Sequence, residues 1–124
     1  MIAVDTSSLI AFFSGALGSD VNQVHAALAA SQICLPPVVL TELLGDAATQ
    51  DALEAAVNSW PVLEPDAGYW IRAARTRSIL ISRGLTAKVP DTLIAQSCID
   101  HDVALITRDK DFRHFTKYCG LKLA

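Results

Sequence analysis

Short, mostly apolar runs alternate along this chain with longer stretches whose apolar residues recur at helical spacing. The short runs are residues 2–4 (Ile-Ala-Val), 33–35 (Ile-Cys-Leu) and 103–107 (Val-Ala-Leu-Ile-Thr). Runs of that length without polar alternation predict strands buried on both faces. The stretches between them predict helices. Ser7 or Ser8 can cap a helix over 9–13 that stops at Ser14-Gly15. Ser19-Asp20 opens a second, with Val21, Val24, Ala27 and Leu28 on one stripe. Pro36-Pro37 starts a third at the position where proline is tolerated, with Val39, Leu40, Leu43, Leu44 and Ala47 as its apolar face. Residues 51–58 continue as helix until Trp60-Pro61. A long helix runs from Asp66-Ala67-Gly68 to the glycine stop at Arg83-Gly84. Residues 85–89 read as a loop, 90–101 as helix, 109–115 as a short helix and 121–123 as a last edge strand. Strands alternating with helices imply an α/β fold, a parallel sheet with helices on both faces.

The 124 residues fit one domain, and a 52% hydrophobic content is enough for a sizeable core. No run of ~18 uncharged apolar residues exists, so no membrane span is expected. The N-terminus lacks the basic flank and cleavage site of a signal peptide. Cys34, Cys98 and Cys119 are odd in number and form no C-x-x-C pair, which favours neither a disulfide framework nor a zinc site. A reduced, cytoplasmic protein is the simplest expectation. The net charge of −3 hides an asymmetry. Residues 1–71 carry eight acids and no Lys or Arg; residues 72–124 carry all ten basic residues and five acids, so the halves stand at −8 and +5. Such a division fits a nucleic-acid or acidic protein partner, or two halves whose charges mix on one folded surface.

Four acids stand in distinct settings. Asp5 follows the first strand directly, where a parallel sheet lines its ligand crevice; an N-cap for the next helix is the alternative. Glu42 lies away from the apolar stripe of its helix, on a face that is either solvated or lines a cleft. Asp91 shares a helix face with Ile94, Ala95 and Cys98. A carboxylate on such a face is costly unless paired or ligated, although the first turn of a helix favours it through the dipole. Asp109 and Asp111 follow the strand 103–107. Side chains at i and i+2 point the same way in extended chain and diverge in a helix, so one full ligand is expected of the two, and Asp109, nearer the strand, is the better candidate. Thr107 can hold a neighbouring carboxylate in place.

Carboxylates gathered in one cleft repel, and a divalent cation relieves the repulsion. All-oxygen ligation selects Mg²⁺ or Mn²⁺. Such an ion can activate water and stabilise the charge that builds on a phosphodiester oxygen. The reaction expected is metal-dependent phosphodiester hydrolysis. No serine or cysteine nucleophile with a histidine partner is evident, and His25, His101 and His114 read as surface or structural.

At these residues the chain resembles the PIN-domain ribonucleases, specifically the VapC-type toxins of toxin–antitoxin pairs. Four pieces match in order: Val4-Asp5-Thr6-Ser7-Ser8-Leu9-Ile10, Thr41-Glu42-Leu43, Pro90-Asp91-Thr92-Leu93-Ile94-Ala95, and 105–112, Leu-Ile-Thr-Arg-Asp-Lys-Asp-Phe. The resemblance spans essentially the whole chain and implies a single PIN domain over 1–124, a Rossmann-like α/β/α sandwich around a central, mainly parallel sheet. It implies that Asp5, Glu42, Asp91 and Asp109 form the catalytic metal cluster, with Asp111 accessory and Ser7 and Thr107 supporting. It further implies an Mg²⁺- or Mn²⁺-dependent endoribonuclease acting on structured RNA such as tRNA or rRNA, a homodimer, and silencing by a cognate antitoxin.

Arg72, Arg75 and Arg83 on the long helix, with Arg108, Lys110 and Arg113 around the last acids, are candidates to grip RNA phosphate or an acidic antitoxin tail. A solvated helix face is the plainer reading of the first three. Tyr69-Trp70 fits a protein interface. The apolar 38–44 and 9–13 segments fit a homodimer or a groove for an amphipathic antitoxin helix. Two other classes compete: a catalytically inert PIN-fold protein that binds RNA or an antitoxin, and a haloacid dehalogenase-type phosphatase. The latter needs a second aspartate two residues after Asp5, where Ser7 stands.

Overall fold

The computed structural model describes residues 1–45 and 51–124, apart from the side chain of Ala52. Strands β1 (Ile2–Val4), β2 (Ile33–Cys34) and β3 (Ala104–Ile106) form a parallel sheet in the order β2–β1–β3. Ile2 pairs with both Ile33 and Ala104, and Val4 pairs with Ile106. Ala3, Val4, Cys34, Leu105 and Ile106 are wholly buried, as expected of strands covered on both faces. Parallel single-residue bridges widen the sheet at each side, Leu35 to Val62 and Leu105 to Leu123. The edge strand expected over 121–123 is thus one bridge, closed by Leu105 N–H to the Lys122 carbonyl and Ala124 N–H to the Leu105 carbonyl, both at 2.9 Å.

The helices are α1 (Thr6–Phe13), α2 (Ser19–Ala29), α3 (Pro37–Leu44), α4 (Asp51–Asn58), α5 (Tyr69–Ser82), α6 (Val89–His101) and α7 (Arg113–Cys119). A 3-10 turn, Lys110–Phe112, precedes α7. The apolar stripes read from the sequence are the core: Leu9 of α1, Val24 and Ala27 of α2, Val39 and Leu43 of α3, Leu80 of α5, and Ile94, Ala95 and Cys98 of α6. Ala47, expected on the α3 stripe, lies outside the described residues. The helix expected over 109–115 divides into the 3-10 turn and α7. The latter runs on to Cys119, because the chain reverses only at Gly120, whose φ of 83° suits glycine.

Helices α5 and α6 meet through a polar seam inside apolar packing. Thr76 Oγ1 donates to Gln96 Oε1 at 2.5 Å, and Gln96 Nε2 donates to Asp100 Oδ1 at 2.8 Å. The Tyr69 hydroxyl donates to the Leu93 carbonyl at 2.7 Å, and Tyr69 is 3% exposed. Tyr69 therefore belongs to the interior, contrary to the interface expected for it, while Trp70 beside it is 60% exposed. His101 Nε2 lies 3.0 Å from the Glu64 carbonyl, and His25 sits edge-on to Phe12. Among the described residues, no helix is long and apolar enough to cross a membrane.

Candidate metal centre

The β1–β3 ladder continues one residue past β1, with Asp5 N–H donating to the Ile106 carbonyl at 2.9 Å. This carries Asp5 to the carboxyl edge of the sheet, where it is 5% exposed. It occupies the N-cap position of α1, but its side chain makes no capping bond. Instead Oδ2 accepts from Ser7 Oγ at 2.6 Å and from Thr107 Oγ1 at 3.0 Å. The capping alternative is thus not what fixes this carboxylate; hydroxyls from the first turn of α1 and from the link after β3 do.

Glu42 projects from the exposed side of α3, as its helical wheel requires. Its Oε1 accepts from Thr6 Oγ1 at 2.8 Å, across 36 residues of sequence. The first turn of α1 therefore stands opposite that face and turns it towards the acids. Asp91, in the first turn of α6, lies above the buried Ile94, Ala95 and Cys98.

The fourth acid is set by the link that leaves β3. Thr107 Oγ1, besides donating to Asp5, accepts from the Asp109 N–H at 3.0 Å. Asp109 then caps the 3-10 turn, its Oδ1 accepting from the Asp111 N–H at 2.9 Å. Asp91, Asp109 and Asp111 each offer a carboxylate oxygen, and those oxygens lie within 4.8 Å of one another. Of the two geometries open to Asp109 and Asp111, the helical one that would part them is not adopted: Asp109 caps the turn through the Asp111 N–H, and both carboxylates stay on one side.

The electrostatics of the group call for a cation. Burial, then the carboxylates of Asp109 and Asp5, push Asp91 up to about 6, with Lys88 pulling the other way and Glu42 adding to the rise. The structure thus brings Asp91, Asp109 and Asp111 together and sets Asp5 and Glu42 close enough for their charge to reach Asp91. An all-carboxylate donor set with excess negative charge fits a hard divalent ion, Mg²⁺ or Mn²⁺. Replacing Thr107 by Val keeps the shape and removes both hydroxyl bonds. We expect Mn²⁺ affinity to fall roughly 10- to 100-fold, measured by calorimetric titration; an unchanged affinity would show that Thr107 orients nothing of consequence.

The basic candidates divide. Arg72 is held by Asp66 at 2.6 Å and Asp100 at 2.7 Å. Arg108 is held by Asp20 at 2.8 Å, so two of the six expected phosphate-gripping residues are held in ion pairs within the chain, and Arg113 Nε donates to the Lys110 carbonyl at 3.0 Å. Arg75, Arg83, Lys110 and Arg113 are exposed, Arg83 lying 4.1 Å above the Tyr118 ring. Asp20 itself went unassigned in the sequence. Its signal was the one that singled out Asp91: an acid in line with buried Val24 and Ala27 at i+4 and i+7.

Hydrogen bonds from Arg108 and then Ser8, opposed by burial, hold Asp20 down at about 2. An unfolded chain binds the proton near 3.9. The pair's stabilisation is therefore present above about pH 4 and drains away as pH falls towards 2. With Arg108 partly solvated, about 1–2 kcal/mol is at stake. In urea unfolding, the gap between the wild type and Asp20→Asn should narrow from pH 6 to pH 3; a constant gap would argue against the ionised pair.

Fold and site together define an α/β protein with a carboxylate centre at the carboxyl edge of a parallel sheet. The PIN domain profile matches residues 2–118, and the chain belongs to the PIN domain family. Solved structures share the fold. VapBC2 from Rickettsia felis, bound to a DNA fragment from their promoter, is similar at 21% identity and a TM-score of 0.76, covering 100% of this chain and 98% of that one. VapBC-1 from nontypeable Haemophilus influenzae is similar at 21% identity and a TM-score of 0.75, over 100% and 97%. A toxin–antitoxin complex from Klebsiella pneumoniae is similar at 24% identity and a TM-score of 0.69, over 90% of each chain. No curated protein sequence matches the chain.

Proposed function

We propose that this protein is a divalent-metal-dependent endoribonuclease and the toxin of a toxin–antitoxin pair. The observation that carries the reading is the convergence of Asp91, Asp109 and Asp111, flanked by Asp5 and Glu42, at the carboxyl edge of a parallel sheet. The toxin–antitoxin systems represented among the fold's neighbours support the second half.

In this reading Asp5, Glu42, Asp91 and Asp109 are the catalytic acids, and Asp111 joins them as a ligand. Bound Mg²⁺ or Mn²⁺ supplies an activated water and neutralises charge at the scissile phosphate. Ser7 and Thr107 pin Asp5 through one oxygen, and Thr6 pins Glu42, so these carboxylates need little reorganisation to receive a cation. Arg75, Lys110 and Arg113 are the exposed cations that meet RNA phosphate, which makes binding salt-dependent. The partner is a cognate antitoxin, and the working form is a homodimer in the cytoplasm.

The test is to incubate antitoxin-free protein with total tRNA and rRNA, with and without Mg²⁺ or Mn²⁺. Discrete cuts that need the metal are the expected result. No cleavage of either RNA under any metal would shift the reading to a PIN-fold protein that only binds.

A further inference from the structure

Asp20 is 6% exposed, and a carboxylate so placed is costly unless fully satisfied. Ser8 Oγ donates to its Oδ2 at 2.8 Å. Arg108 grips it with both arms of the guanidinium, Nε to Oδ2 at 2.8 Å and Nη2 to Oδ1 at 3.1 Å. Nη2 also donates to the Leu17 carbonyl at 3.1 Å. The bidentate geometry gives direction as well as strength. Space for it depends on Gly18. A Cβ there would lie 2.6 Å from Asp20 Oδ1 and 2.9 Å from Arg108 Nη2, and the φ of +152° is itself one that side chains rarely adopt.

Arg108 stands between Thr107 and Asp109 in the link between β3 and the 3-10 turn. Asp109 has extended backbone, φ −82° and ψ 116°. In extended chain successive side chains point to opposite sides. Thr107 accordingly reaches Asp5, Asp109 sits with Asp91 and Asp111, and Arg108 goes the other way to Asp20. The link is tied on both sides, to the sheet edge by Thr107 and to α2 by Arg108.

Resting on the metal-centre reading, we propose that the Asp20–Arg108 clamp, admitted by Gly18, is a positioning device that sets the Asp109–Asp111 turn against Asp91 and so tunes divalent-cation affinity without touching the cation. Charge alone does not predict this role. A guanidinium one residue from Asp109 repels a cation, so losing it by itself tightens binding, and losing it together with the Asp20 carboxylate leaves the net charge unchanged. A loss of affinity when the clamp is removed therefore reports geometry.

The experiment uses the full chain with Mn²⁺ alone as the probe, its binding followed by electron paramagnetic resonance. Two variants hold net charge constant: Arg108→Lys, which keeps one bond to Asp20, and the double variant Asp20→Asn with Arg108→Met, which leaves no buried charge without a partner. We expect roughly tenfold weaker Mn²⁺ binding in the double variant and a smaller loss in Arg108→Lys, with unchanged circular dichroism. In the metal-free variants the Asp111 amide should exchange faster, since its bond to Asp109 depends on the turn being held. Wild-type or tighter affinity in the folded variants overturns the positioning role alone. A wild-type protein that binds no Mn²⁺ overturns the metal-centre reading beneath it.

Discussion

Asp91→Asn should lose at least ~100-fold in RNA cleavage while making the metal-free protein more stable. The two effects share one cause. Burial and the facing carboxylates push Asp91 up to about 6, against about 3.9 in an unfolded chain. Below about pH 4 the carboxyl is protonated in both states and nothing is lost. As pH rises from 4 through 6 the unfolded chain ionises first and stability falls; by pH 7 the cost is complete. Two pKa units set a ceiling near 3 kcal/mol, and partial solvation of Asp91 brings this to about 1–2 kcal/mol. Asn removes the charge and keeps the volume. In chelator at pH 7 its Tm should exceed that of the wild type by a few degrees, with the gain vanishing near pH 4. Added Mn²⁺ should reverse the order, because it stabilises only the protein whose ligands are intact. A metal-free Asn variant less stable than the wild type would contradict this account of Asp91.

Phe112→Ala should cost about 3–5 kcal/mol, a large part of the ~5–15 kcal/mol that holds a domain folded. Phe112 is wholly buried, its ring centroid 5.9 Å from that of Phe115. It ends the 3-10 turn whose other residues include Asp111, so the same ring that fills the core pins the turn beside the acids. Phe112→Leu, which keeps most of the volume, should cost under about 1.5 kcal/mol and retain Mn²⁺ binding. Urea unfolding of both variants checks the first point and titration with Mn²⁺ the second. Equal losses for Ala and Leu would mean that ring volume is not what holds the turn.

Local pattern made much of this legible in the sequence. The three buried strands, the proline start of α3, the glycine stop after α5 and the apolar face beneath Asp91 all follow from spacing, and spacing is what the fold kept. What the pattern could not supply is what lies opposite. The wheel placed Glu42 on the outer side of α3, and it is there; that α1 stands across from it depends on chain path. Arg108 read as a free cation because its partner, Asp20, lies 88 residues away. One of Arg72's two partners, Asp100, is likewise distant, at 28 residues; the other, Asp66, is only six residues back but stands before the helix that carries Arg72. Tyr69 looked like an interface residue because its acceptor is the carbonyl of Leu93, 24 residues on. Asp111, expected as an accessory ligand, comes beside Asp91 and Asp109 through a local device that spacing does not encode: the Asp109 carboxylate caps the 3-10 turn by accepting from the Asp111 N–H.

The central claim is that these carboxylates form one divalent-metal centre. Anomalous diffraction at the manganese edge, from crystals grown with Mn²⁺, tests it most directly. The account predicts a peak ligated by Asp91 and Asp109, with Asp111 or Asp5 completing the carboxylate shell. No peak at the sheet edge, or manganese held elsewhere on the chain while the cleft stays empty, would contradict it.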